Sequence, residues 1–255
     1  MNTRHEFLAA LHGLLKPKVY VEIGVQWGTS LDLADRTITQ AYGVDPDPLV
    51  ERPGLFRLTS DEFFSLIDDD EVEEVLGGRV DLGFIDGMHL VEYALRDFIG
   101  LERFARPATY RAAVDPAADG ATMMVQVAAS PSMIVFDDVL PRNQAEAART
   151  QCPGDWTGDV WRIQQILGRL RLDLDMLLVD TAPTGLLVVT NLNPSSTRLS
   201  EYDEEITTRW PQEDTVVPDD ILNREHAWAP DAALDAIGDW WRIVTAQSIN
   251  REVKS

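Results

Sequence analysis

Two short acidic segments carry most of the residues in this chain that could do chemistry: Asp86-Gly87-Met88-His89 and Asp137-Asp138. Each follows an apolar run, residues 80–85 and 133–136, that reads as a buried strand. Neighbouring strands would bring Asp86, Asp137 and Asp138 together at their carboxyl ends. Three carboxylates at one point repel one another unless protons or a cation intervene. An oxygen-only donor set of this kind suits Mg²⁺ or Mn²⁺, with waters or substrate hydroxyls completing the octahedron. Zinc would want nitrogen or sulfur ligands, which this set lacks. The plainer alternative is that one aspartate caps the following helix and another faces solvent.

A second constellation lies upstream. Glu22-Ile23-Gly24-Val25-Gln26-Trp27-Gly28 places a carboxylate and then two glycines, four apart, after the apolar run 19–25. A helix over residues 30–36 is expected to follow. Glycines let the backbone approach a ligand closely, and a helix start offers free N–H groups. The next strand, 41–44, ends in Asp45, about 20 residues further on, where a carboxylate can accept hydrogen bonds from both hydroxyls of a ribose. The alternative is a pair of structural turns, one of them closed by Pro46. No Walker A motif is present, so nucleotide hydrolysis lacks support.

These groups need a scaffold to hold them, and its periodicity is visible. Runs at 19–25, 41–44, 55–58, 80–85 and 133–136 alternate with helix-like stretches, one presenting Val91, Ala94, Leu95, Phe98 and Leu101 on a single face. Strands alternating with helices predict a parallel sheet covered on both sides. The runs 174–179 and 186–190 are separated by only a few residues, including Pro183 and Gly185. So short a connection cannot make a parallel crossover, so this pair is antiparallel. The expected fold is Rossmann-like: a seven-stranded, mostly parallel α/β sheet ending in an antiparallel hairpin. That ending distinguishes it from nicotinamide dehydrogenases.

Two segments stand apart from this pattern. Residues 105–130 read as a long surface loop or lid within a domain spanning 1–192. Residues 193–255 are acidic and carry Trp210, Trp228, Trp240 and Trp241. They are expected to form a helical appendage that packs on the sheet or on a second copy of the chain.

The totals exclude several partners. With 22 basic against 43 acidic side chains in 255 residues, a net charge of -21 repels nucleic acid and anionic membrane surfaces. Cys152 is the single cysteine, so neither an intrachain disulfide nor a multi-cysteine zinc site can form. The first stretch reads as a short amphipathic helix, with no signal peptide and no membrane span, and a cytoplasmic protein is expected.

VEIGVQWGTS, YGVDPDP, FIDGMHLVEYALRDF, IVFDDVLPR and the GDVW and TGLLVVTNL segments together resemble the class I methyltransferases of the macrocin-type and mycinamicin-type sugar O-methyltransferase and cephalosporin hydroxylase-like group. The resemblance spans residues 19–192. It implies S-adenosylmethionine as cofactor, with Glu22, Gly24 and Gly28 at the cofactor turn, Asp45 on the ribose and Ser60 and Asp61 near the adenine. It also implies Asp86 beside the cofactor and, with Asp137 and Asp138, on Mg²⁺ or Mn²⁺. His89 would then be the base, whereas His5, His12 and His226 have no comparable context. The function expected is O-methyl transfer to a small hydroxylated acceptor such as a sugar or glycosylated natural product. The rival is a non-catalytic cofactor-binding or assembly protein on the same fold.

Overall fold

The computed structural model describes residues 1–114, 122–151, 154–202 and 216–252. Cys152 and Trp210 lie outside them. In chain order the strands are β1 (Val19–Ile23), β2 (Gln40–Val44), β3 (Leu55–Phe56), β4 (Leu82–Ile85), β5 (Thr109–Val114), β6 (Thr122–Ala128), β7 (Met133–Phe136), β8 (Asp175–Val179) and β9 (Leu186–Thr190). The α-helices are α1 (Arg4–Leu15), α2 (Ser60–Leu66), α3 (Val72–Leu76), α4 (Val91–Phe104), α5 (Arg162–Leu170), α6 (Asp219–Leu222) and α7 (Pro230–Glu252).

Seven strands form one sheet in the order β3-β2-β1-β4-β7-β9-β8. Pairs from β3 to β7 are parallel, and β9 runs antiparallel to both β7 and β8. This is the Rossmann-like sheet with the antiparallel end that the sequence predicts. Strand order reverses between β1 and β4, and in open α/β sheets ligands bind outside the carboxyl ends at such a switch point.

Both faces of the sheet are covered, so its central strands are mostly apolar, with Glu22 of β1 the buried acidic exception. Val19, Val21 and Ile23 of β1 point into one core, with Phe63 of α2, Phe98 and Leu101 of α4 and Ile163 of α5. Tyr20 points the other way, into a core that α1 supplies with Phe7, Leu8 and Leu11 and α7 with Ala233 and Ile237. The C-terminal segment also extends the sheet edge. Trp228 donates to the Leu178 carbonyl at 2.9 Å, and Asp180 donates back to Trp228 at 2.9 Å. No helix among the described residues is long and apolar enough to cross a membrane.

Two expectations are corrected. The helix expected over 30–36 is a single 3-10 turn, Leu31–Leu33. Asp35 ends it by accepting from the Thr37 N–H and hydroxyl, a local bond that competes with helix continuation. The stretch 105–130 is not a plain loop. β5 and β6 pair antiparallel within it, apart from the main sheet; their connection, 115–121, lies outside the described residues. The sequence hid this ribbon because its alanines and glycine read as breakers.

Candidate functional site

The glycine turn sits at the switch point, after β1. Gly24 has φ +86°, and a Cβ there would lie 2.0 Å from the Asp86 carbonyl oxygen. The residue is therefore glycine because two backbones touch. With no α-helix following, the turn's N–H groups are not a helix start. Instead the Val25 and Gln26 N–H groups donate to Asp45 Oδ2 at 2.9 and 2.8 Å, and Asp47 N–H donates to Oδ1. Asp45 thus binds the turn itself; Oδ2 already accepts two N–H groups, whereas Oδ1, with one, retains acceptor capacity.

Glu22 is 0% exposed and points across the turn. Tyr20 and Ser30 donate to its two oxygens at 2.6 and 2.7 Å. Burial pushes its carboxyl up to about 8, against those two hydrogen bonds. It ties the start of the turn to its end.

Ser60 and Asp61 open α2, which Thr59 and Glu62 cap reciprocally. Asp61 pairs with Arg96 of α4 at 2.9 Å. Ser60 bonds to Asp97, a carboxyl that burial pushes up to about 7.

The cluster forms where β4 and β7 end. His89 Nε2 lies 3.3 Å from Asp86 Oδ1 and 3.1 Å from Asp138 Oδ2. One ligand atom from each of Asp86, His89 and Asp138 falls within 4.8 Å of the other two. Asp138 is held at φ +61°, a strained conformation for a non-glycine residue and one that clusters at functional sites. The Trp156 carbonyl, 2.5 Å from His89 Nδ1, accepts that nitrogen's proton, so the Nε2 side faces the carboxylates. This is how a metal-ligating histidine is oriented. Trp156 also stacks on the imidazole at 5.2 Å. Burial alone would depress His89. The Asp86 and Asp138 carboxylates outweigh it and raise the ring to about 9, so a cation at Nε2 would have to displace the proton held there. Burial pushes Asp138 up to about 6, with His89 opposing.

The set that converges therefore differs from the one the sequence suggests. Asp137 is 2% exposed and hydrogen-bonded to Arg4 of α1, and it does not join the group of close ligand atoms that Asp86, His89 and Asp138 form. Burial, Asp86 and Asp138 push its carboxyl up, and the Arg4 guanidinium pulls against them. A nitrogen donor, His89, stands where an oxygen-only set was expected. His5 gains a context as well. It feels both Arg4 and Asp86, and burial holds it below its usual range.

Three participants escaped the sequence reading. Arg4 reaches Asp137 across 133 residues, a separation no spacing rule covers. Trp156 acts through its backbone carbonyl, which has no side-chain signature. Gly158, with φ +56°, packs so that a Cβ would lie 1.6 Å from the His89 carbonyl oxygen; the GDVW segment was the available hint. Its neighbour Asp159 accepts from the Val91 N–H at 2.9 Å and fixes the start of α4.

No protein-family model and no curated relative matches the chain. Solved structures share its chain path at low identity. A candidate O-methyltransferase from Klebsiella pneumoniae is 19% identical over 74% of this chain and 80% of its own, with a TM-score of 0.48. An O-methyltransferase from Bacillus cereus in complex with SAH is 13% identical over 73% and 80%, with a TM-score of 0.42. The MycE methyltransferase of the mycinamycin biosynthetic pathway, in complex with Mg, SAH and mycinamycin VI, is 15% identical over 70% and 46%, with a TM-score of 0.40. At these values no role passes from their residues to residues of this chain.

Proposed function

We propose that this protein transfers a methyl group from S-adenosylmethionine to a hydroxyl oxygen of a small molecule, with a divalent cation held by Asp86, Asp138 and His89. One observation carries the reading. Two carboxylates and an imidazole, its Nε2 turned toward them by the Trp156 carbonyl, converge at the carboxyl ends of β4 and β7 beside the glycine turn.

The residues present fit both groups. Asp45 offers spare acceptor capacity beside the turn, where a ribose would be recognised, and the Gly24–Asp86 contact fixes the two loops that would flank the nucleoside. The Asp86–His89–Asp138 set supplies two oxygens and one nitrogen, which suits Mn²⁺ and other first-row ions better than a purely oxygen-seeking Mg²⁺. S-adenosylmethionine brings an electrophilic sulfonium methyl. The cation would supply positive charge where an acceptor hydroxyl loses its proton.

The chain's own part is positional. Asp86 and Asp138 orient the acceptor edge, and Trp156 keeps His89 from rotating. The Nε2 atom that would bind a cation cannot also accept a proton, so this reading makes His89 a ligand and sends the acceptor's proton to solvent. A sugar or glycosylated natural product remains the acceptor class proposed.

Stoichiometric formation of S-adenosylhomocysteine with a diol acceptor tests the reading. It should require added Mn²⁺ or Mg²⁺ and stop with EDTA. Cofactor binding without any effect of metal would favour the non-catalytic rival.

A further inference from the structure

Arg4 is the first residue of α1, a poor place for a cation, because the helix dipole puts positive charge there. The helix start is nevertheless built to hold it. Thr3 and Glu6 form a capping box, Arg4 N–H donates to the Ala182 carbonyl at 3.2 Å, and Ala182 N–H donates to Asn2 at 2.7 Å. From this fixed base the guanidinium bonds Asp137 and stands 3.5 Å from Asp86 Oδ2. Asp86 is thus shared: Oδ1 faces His89 and Oδ2 faces Arg4.

We propose that Arg4 is a positioning residue that sets the strength and composition of the cation site. By tying Asp137 back it keeps that carboxylate out of the donor set. Its charge, beside Asp86, weakens the hold on a divalent ion and keeps that ion exchangeable. The inference rests on the metal reading above and adds to it which aspartate is excluded and what excludes it.

Electron paramagnetic resonance titration with Mn²⁺ alone, on the full chain, tests both steps. Arg4→Gln removes the charge and frees Asp137 from the guanidinium, and it should bind Mn²⁺ roughly tenfold more tightly than wild type, the scale of effects from groups just outside a donor set. Asp137→Asn keeps the fold and should change affinity by no more than about twofold, because Asp137 is not a ligand. Adding Asp137→Asn to Arg4→Gln should return part of the gain, since the released carboxylate would otherwise join the site. Affinity unchanged or weakened in Arg4→Gln, or a change above about twofold in Asp137→Asn alone, overturns this inference and leaves the metal reading standing. Absence of Mn²⁺ binding in wild type and every variant overturns both.

Discussion

Gly24 and Asp86 meet backbone to backbone: a Cβ on the glycine would sit 2.0 Å from the aspartate's carbonyl oxygen. The contact locks the turn after β1 to the loop after β4, on the proposed reading the nucleoside side and the acidic side of one site. Gly24→Ala should therefore cost stability as well as binding, by about 1–3 kcal/mol from backbone strain at φ +86°. Urea unfolding measures it. A variant with wild-type stability and lost S-adenosylhomocysteine binding would show that the glycine serves the ligand alone.

Asp45 serves the turn and, on the proposed reading, a ribose. Asp45→Ala should weaken S-adenosylhomocysteine binding in calorimetry by about 1–3 kcal/mol, since the Val25 and Gln26 N–H groups also lose their acceptor. Unchanged affinity would confine Asp45 to the turn.

His89 can be disturbed without touching a donor side chain. Gly158→Ala forces a Cβ against the His89 carbonyl, so Mn²⁺ affinity should fall by roughly tenfold or more, as it should in Asp138→Asn. Equal affinity in Gly158→Ala and wild type would mean that His89 is not held as a ligand.

Glu22 gives a pH signature. Its folded-state value of about 8 lies above the ordinary 4.5, so the native state binds a proton that the unfolded chain has already released. The stability linked to that proton is complete below the unfolded value and is lost as pH rises through the folded one. Glu22→Gln should thus melt progressively higher relative to wild type between about pH 5 and about pH 9. A melting difference that does not change with pH would show that Glu22 is ionised in the fold.

Arg171, with a side chain 0% exposed, forks onto Glu102 at 2.6 and 2.7 Å and also bonds Asp173. Arg171→Met leaves the buried Glu102 without its cation and should cost about 3–5 kcal/mol in urea unfolding. A smaller loss would mean that Glu102 takes up a proton and stays buried.

What the sequence made legible follows from where information sits along the chain. Apolar runs fixed the parallel strands, and the short 179–186 connection fixed the antiparallel end, because both are local. The acidic segments after β4 and β7 were legible as residues and not as a set. Which two carboxylates join His89 depends on Arg4, brought in from α1 by its docking on Ala182. The turn of Leu31–Leu33 was misread because helix periodicity says nothing of Asp35 capturing Thr37. Gly24 reads from the sequence as a glycine that lets the backbone approach a ligand; what the structure adds is the close approach of the Asp86 backbone, which no local pattern encodes.

The docking of α1 on Ala182 also has a consequence for synthesis. Arg4 leaves the ribosome long before Ala182 does, and the bonds that seat it need both. The backbone bonds that seat Arg4 beside the acidic cluster therefore cannot form before the β8–β9 connection is made. The seating of Arg4 waits on a segment far along the chain from it, set by the order of the strands.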